Sequence, residues 1–498
     1  MISSNLYFLN APLNYKLTGI EHASLRRFFL FKKSGLSPTI VTLNFSSDLS
    51  RIIMFHKITE EHFLNFYRYY QNFNEDHKYD LDDLKCKLIN AVFSHVEGVP
   101  YDYRVSCSAQ YTMYVRCFEK TARISYINYF DQNRRKIRRE IYDFTGYKSK
   151  EIILFNGKTI QENYFNHKGE IYLTVNSDND LKHYCLKDRD SIYFFNSELE
   201  LYRYWLKSII NGPTVFFIDK NRIYNPIVGP IKHRNLKKVS IVHSTHTSNP
   251  NEINNNRINY NYKYLLENTE QFDACVVSSS VQHEELLSRF DVSFSTHVIP
   301  PSYINNYRVN LDDTINDHFR ILSIGRISVE KRHIDMILAM KIVRAFIPQA
   351  QLEFFGMGNV DLKKQLEEKI KQEGLEDCIF FKNYSYDIQS ELFNSDLTLV
   401  TSTVESFCIS ILDSLEQGTP VIAYDIKYGP SSIIEDGVNG TLVENGNIDK
   451  LAQAIIDFYF KHKLNYTKNT KYVMKNYSFN HVSNLWINFL NKLNSEIL

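Results

Sequence analysis

The chain has 498 residues, of which 43% are hydrophobic and 23% charged, a globular composition that excludes global disorder and suffices for about two or three cores. The formal net charge is +1, so no overall field favours nucleic acid, and any polyanion has to be met by a local basic patch. Seven scattered cysteines without a Cys-x-x-Cys pair argue against a disulfide framework or zinc site and suit a reducing cytoplasm, while the absence of a basic-then-apolar leader and of a run of about 20 apolar residues predicts neither export by that route nor membrane integration.

The chain opens with a short apolar strand at Leu6–Leu9, a polar loop to Gly19, helical spacing over Ile20–Lys33 and a strand at Thr39–Leu43, a β-α-β start. The alternation then breaks. A helical lead-in is predicted over Glu60–Val96, followed by an antiparallel sheet over Tyr111–Phe195, where aromatic and β-branched residues alternate and Asn156-Gly157 and Lys168-Gly169 mark hairpin turns. A helix at Ser197–Ile210, closed by Asn211-Gly-Pro, returns the chain to its first pattern. Strands resume at Thr214–Ile218, Val239–His243, Ala274–Ser278 and Thr296–Ile299, with a helix at Val281–Arg289; the Asn-rich 249–261 is expected to be a loop.

After Pro300-Pro301 and a linker over 302–317, a second series has strands at Phe319–Ile324, Gln351–Phe355, Cys378–Phe381, Leu397–Val400 and Val421–Tyr424, separated by helices. The last stretch, Phe479–Leu498, is an amphipathic helix able to pack on either domain. The expected fold class is α/β: two doubly wound, Rossmann-like domains facing a cleft, with a β-rich antiparallel insertion in the first.

Glu405 lies on the loop after one C-terminal strand, and Asp413 lies eight residues later on the following helix. In such units ligands bind at the carboxyl ends of the strands, so the two acids are placed to grip two ends of one ligand. Gly325, Arg326 and Lys331 occupy the loop after Phe319–Ile324, where a guanidinium fork, an ammonium and free helix amides suit a diphosphate. Taken alone, this is equally a solvated loop with two surface cations. Gly356-Met-Gly358 either admits backbone close to a ligand or makes a turn. In the first domain, His243 and His246 end a buried strand on the cleft side, where a histidine can bond hydroxyls, though either alone also fits a structural role. Gly19 opens the first helix and would let its amides approach a ligand.

Together these motifs resemble the GT-B glycosyltransferases of glycosyltransferase family four, over residues 1–45 and nearly everything after 214. The resemblance implies that Glu405 orients donor-sugar hydroxyls with Ser406 and Phe407 beside it, and that Asp413, where the family has Glu, holds the ribose. It further implies that Arg326 and Lys331 hold the diphosphate with Gly19 and Gly356 nearby, that Phe381, Lys382, Asn383 and Tyr384 read the base, and that His243 or His246 lies on the catalytic face. Its domains would be 1–45 with 214–305 (N-terminal, acceptor side), 46–213 (inserted module for acceptor binding or oligomerisation), 306–478 (nucleotide-sugar binding) and 479–498 (C-terminal helix).

The Leu17-Thr-Gly-Ile-Glu-His-Ala start with a β-rich insertion is similar to bacterial transferases acting on polymers, namely serine-rich or Ser-Asp-repeat adhesins and teichoic acids. This implies retaining transfer from a UDP-sugar, N-acetylglucosamine or glucose, without a metal or other cofactor, in the cytoplasm or at the inner face of the membrane, with a second copy or partner transferase. The basic run Arg134, Arg135, Lys136, Arg138 and Arg139 in the insertion either faces an acidic or phosphate-bearing acceptor or ends a solvated hairpin, and nucleic acid is not expected. The triplets Asp178-Asn-Asp180 and Asp188-Arg-Asp190 are far in sequence from the nucleotide motifs and are not expected to bind metal. A catalytically silent acceptor-binding partner of the same fold is the alternative of a different class.

Overall fold

The computed structural model describes residues 4–72, 79–107, 111–179, 181–252, 254–255, 257–309 and 318–495. Its first sheet contains β1 (Asn5–Leu9), β2 (Pro38–Thr42) and β3 (Phe63–Asn65). A second sheet, β4 to β13, runs from Ala91–Val96 to Ser191–Phe195. The chain then returns to the first sheet with β14 (Thr214–Ile218), β15 (Leu236–Ile241), β16 (Ala274–Val277) and β17 (Ser295–Val298). The third sheet is built from β18 (Phe319–Ile324), β19 (Ala350–Phe355), β20 (Ile379–Asn383), β21 (Leu397–Val400), β22 (Val421–Asp425) and β23 (Gly440–Glu444).

The first sheet has the order β17-β16-β15-β14-β1-β2-β3 and the third β20-β19-β18-β21-β22-β23, both parallel throughout. All five residues of β14, Thr-Val-Phe-Phe-Ile, are buried, as a continuous apolar run in a sheet covered on both faces requires. Each sheet reverses its strand order once, between β1 and β14 in the first and between β18 and β21 in the third. Loops leaving the carboxyl ends of those strands diverge and open a crevice.

The ten antiparallel strands follow one another as a meander. Asn156 (φ 50°) and Gly157 (φ 77°) both take the left-handed conformation that a two-residue hairpin requires, and Phe155 pairs with Lys158 across them. The sheet is longer than predicted, because Ala91–Val96 and Val99–Cys107 are strands too. The predicted helical lead-in over Glu60–Val96 is instead a short 3-10 turn, β3 and two short helices, Phe66–Gln71 and Leu81–Lys87, before β4. Since β3 pairs in parallel with β2, Phe63–Asn65, within the range expected for the inserted module, still belongs to the first sheet. Three residues are too few for a period-two pattern to show, and β23 is hard to recognise for a related reason: its Gly-Thr-Leu-Val-Glu carries a single clear apolar pair.

The helix Phe479–Ser495 packs on the N-terminal domain. It buries Val482, Trp486, Phe489, Leu490 and Leu493 in one cluster with Leu6, Phe8, Phe31 and Phe217. Ile304 and Ser478 form a parallel bridge, so the two passages of chain between the domains run side by side. Trp486 is 2% exposed and meets Phe31 and Phe217 edge-on at 5.5 and 5.8 Å. Trp486→Ala is expected to cost about 3–5 kcal/mol, read as a lower urea midpoint for unfolding of the N-terminal domain.

Candidate active site

Lys331 closes a 3-10 turn after β18, and the left-handed Arg332 (φ 51°) turns the chain into the helix His333–Phe346. The loop after β21 lies against this turn: Thr403 N donates to Glu330 O at 2.8 Å and Thr401 Oγ1 to Lys331 O at 2.9 Å. These ties bring Lys331 Nζ onto Glu405 Oε1 in a largely buried ion pair. Burial disfavours the ammonium, but Glu405 outweighs it and the pKa of Lys331 is raised. Arg326 stands free of this pair, its side chain 66% exposed and 3.3 Å from Glu330.

Gly356 and Gly358 serve a crossing of two loops. A Cβ on Gly356 would lie 1.9 Å from the Gly325 oxygen, and one on Gly358 2.1 Å from the Ile327 oxygen. Of the four residues expected at a base, Phe381 packs on Phe354 at 5.1 Å, Lys382 pairs with Glu353 at 3.3 Å, and Asn383 accepts a hydrogen bond from Gly356 N at 2.7 Å. Tyr384 alone of these reaches the other domain, its hydroxyl 3.4 Å from both Leu17 N and His22 Nε2.

In the N-terminal domain, a Cβ on Gly19 would meet nothing within 4 Å, so the opening of the first helix (Gly19–Lys33) is unobstructed. His243 Nε2 lies 2.7 Å from Asp219 Oδ1, and Asp219 Oδ2 lies 2.5 Å from Arg27 Nη2 and accepts from Ser24 Oγ at 3.2 Å. The backbone oxygen of His243 accepts from Ser406 Oγ of the other domain at 2.6 Å, which puts His243 beside the Glu405 loop. His246 does not join it. Its ring is fully buried, neither nitrogen has a partner among the described residues, and it lies over Tyr428 at 6.0 Å. Burial lowers its pKa to about 4, so it is neutral at physiological pH.

Asp413, expected to hold a ribose, meets a residue of the other domain. It forms a half-buried ion pair across the cleft with Arg26 Nη2 at 2.5 Å, and Arg26 Nη1 donates to Ser302 Oγ. Burial works against the Arg26 guanidinium, but Asp413 and Glu416 overcome it and raise its pKa. Phe407 is buried against Tyr477, and Cys408 (φ 71°) takes a left-handed conformation just before the helix Ile409–Glu416.

The basic run is divided by strand alternation. Arg134 (φ 60°) and Arg135 form the hairpin end, while Lys136, Arg138 and Arg139 lie on the following strand. Arg138 covers the Tyr129 ring at 4.0 Å on one face of the sheet, and Arg139 covers Tyr126 at 4.5 Å and donates to Asn128 on the other. Asp188 accepts from Tyr204 at 2.9 Å, and Asp180 lies outside the described residues. Among the described residues no group of three or more metal-binding side chains converges.

Sequence reasoning missed Asp219, Arg26 and Arg27. The available signal was an acid directly after the fully buried β14, at the end of a strand where a charge needs a purpose. Burial would raise the Asp219 pKa, but Arg27 and the His243 hydrogen bond more than offset it and lower the pKa. A depressed carboxyl stabilises the fold above its unfolded pKa and loses that contribution as pH falls through its folded pKa. Asp219→Asn is therefore expected to cost about 3–5 kcal/mol at neutral pH, and urea unfolding at a series of pH values should show its gap to wild type closing below about pH 4.

Residues 313–475 match the family described as glycosyl transferases group 1. Over 98% of this chain and 99% of the relative, the sequence is 23% identical to a poly(ribitol-phosphate) alpha-N-acetylglucosaminyltransferase of Staphylococcus aureus. With the same coverage it is 20% identical to the UDP-N-acetylglucosamine–peptide N-acetylglucosaminyltransferase GtfA subunit of Streptococcus parasanguinis. A Bacillus subtilis poly(glycerol-phosphate) alpha-glucosyltransferase is 27% identical, but the match spans 67% of this chain and only half of that relative. The pneumococcal O-GlcNAc transferase GtfA, solved with UDP and GlcNAc, superposes with a TM-score of 0.86 at 18% identity, covering 98% of this chain and 99% of that one. A mutant of S. aureus TarM, solved with UDP, superposes at 0.83 and 22% identity over 98% of this chain and 100% of that one. The chain thus has the GT-B fold around the Lys331–Glu405 crevice, and its residues 313–475 carry a group 1 glycosyl transferase domain.

Proposed function

We propose that this protein is a retaining, UDP-sugar-dependent transferase that moves N-acetylglucosamine to serine hydroxyls of a bacterial surface adhesin with serine-rich or Ser-Asp repeats. The observation that carries the reading is the Lys331–Glu405 pair at the strand-order reversal of the C-terminal sheet, facing His243 through the Ser406 contact. Lys331 and the exposed Arg326 supply the positive charge a departing diphosphate needs, so no metal is required at that step. The acceptor hydroxyl attacks the anomeric carbon from the side the diphosphate leaves, the bond to the diphosphate breaks, and a diphosphate oxygen takes the hydroxyl proton. The enzyme contributes position and charge and no covalent nucleophile. Glu405 turns from Lys331 toward donor hydroxyls once a diphosphate shares the ammonium.

The near full-length match to the staphylococcal relative favours a second acceptor, a polyol phosphate such as poly(ribitol phosphate). Ser-Asp repeats and polyol phosphates are both extended polyanions, and Arg135 and Arg139 in the inserted sheet suit either. We place the protein in the cytoplasm, at the inner face of the membrane, in a complex with a second transferase subunit. The described cysteines are free thiols, and a solved relative of the same fold is a GtfA/B complex. Among the described residues no helix is long and apolar enough to cross a membrane.

The test is UDP release from UDP-N-acetylglucosamine and UDP-glucose with a Ser-Asp-repeat peptide and, separately, poly(ribitol phosphate). Turnover with the peptide supports the first acceptor and turnover with the polymer alone replaces it by the second. No turnover and no nucleotide binding would overturn the enzyme reading in favour of a silent acceptor-binding partner. Glu405→Ala is expected to lower kcat by about a hundredfold or more, and unchanged turnover would move the donor site elsewhere. Excess EDTA is expected to leave the rate unaltered, and a loss restored by a divalent cation would overturn the metal-free step.

A further inference from the structure

Asp219 follows β14, His243 lies just after the neighbouring β15, and the two meet at the carboxyl edge of the first sheet. The Asp219 side chain is fully buried and both its oxygens are engaged within the protein, Oδ1 by His243 and Oδ2 by Arg27 and Ser24. It therefore cannot touch a substrate itself. Nor can it move aside easily, because the Arg27 guanidinium is enclosed by the rings of Phe8, Phe217 and Trp486 at 4.4, 5.5 and 5.4 Å. A buried ion pair is a costly way to fill a core, and apolar residues of the same volume would stabilise it as well or better. What a charged pair adds is direction. A carboxylate only accepts hydrogen bonds, so the nitrogen it meets, Nε2, must carry the proton, and in the neutral ring Nδ1 is then the lone-pair nitrogen left for a ligand. The same residue is fixed at its backbone by Ser406, next to Glu405 on the donor loop.

We propose that Asp219 is a positioning residue for sugar transfer: through His243 Nε2 it fixes the imidazole tautomer whose Nδ1 accepts a hydrogen bond from a substrate hydroxyl at the reacting centre. This rests on the glycosyltransferase reading above. Asp219→Asn tests it, because the Arg27 donors hold the amide oxygen on their side and turn the amide NH2 toward Nε2. That forces the ring proton to Nδ1 and leaves no acceptor facing the substrate.

UDP release is measured for wild type, D219N, H243N and D219N/H243N with the acceptor that wild type uses. D219N is expected to lower kcat 10- to 100-fold with the donor KM within twofold of wild type, and the double variant is expected to be no slower than H243N alone. If the two losses multiply instead, or if folded D219N keeps its kcat, the role assigned to Asp219 is overturned. Should D219N fail to fold with Arg27 unpaired, R27M/D219A removes cation and anion together and enters the same cycle with H243N, under the same criteria. An inactive wild type overturns the transferase reading and this role with it; multiplying losses in an active one overturn only the role of Asp219.

Discussion

The ion pair between Lys331 and Glu405 depends on one topological fact, that β18 and β21 are hydrogen-bonded neighbours although two strands separate them in sequence. At that reversal the helices after the two strands leave toward opposite faces, and the loops are left to line a crevice. The bonds from Thr403 N to Glu330 O and from the Thr401 hydroxyl to Lys331 O then hold the crevice at the width of one ion pair. The crossing of Gly325–Ile327 over Gly356–Gly358 closes its far side, and only glycine fits there. The N-terminal sheet repeats the arrangement between β1 and β14, which places the opening of the first helix and Asp219 at its own reversal. Two switch points, one from each domain, thus face a common cleft.

The first helix joins these halves through two consecutive arginines. Successive residues on a helix point about 100° apart, so Arg27 turns into its own sheet to Asp219 while Arg26 reaches across the cleft to Asp413. The two pairs differ in what they fix. Arg27 is sealed in by aromatic rings and sets the position of the helix on its sheet. Arg26 joins elements of different domains, and its partner is a residue the family resemblance gives to the ribose. With Asp in place of the family's Glu, the acid is one methylene shorter, and its Oδ1 lies against the arginine.

Strand-helix alternation with buried apolar runs was readable in the sequence, because parallel strands covered on both faces are nearly uninterrupted in hydrophobicity: Thr214–Ile218, Phe319–Ile324 and Leu397–Val400 have the predicted ends. That Lys331 and Glu405 lie on loops just past such strands was equally legible, whereas their pairing with each other was not. What escaped was pairing. The strand Phe63–Asn65 owes its existence to β2, and nothing in three residues announces it. His243 and His246 are indistinguishable by type and spacing, and only packing separates them, one ring bonded to Asp219 and the other sealed under Tyr428 and Phe290. The commitment of Asp413 to Arg26 was illegible for the same reason, as the partners lie near opposite ends of the chain and meet only when two domains close.

The contacts that close the cleft are unequal in a way that bears on substrate entry. On one flank Tyr384 touches Leu17 and His22 at 3.4 Å, and Tyr386 meets Phe55 at 5.6 Å, largely at the surface. On the other, Glu285 accepts from Tyr428 at 2.9 Å and pairs with Lys427. Exposed polar contacts of the first kind are worth less than about 1 kcal/mol each, whereas Arg26 and Asp413 tie the two domains by a half-buried ion pair. The side-by-side passages at Ile304 and Ser478 lie between the domains and make a natural pivot, with one backbone bond of 2.7 Å and another of 3.2 Å tying them. The Tyr384 flank is therefore the more weakly held of the two.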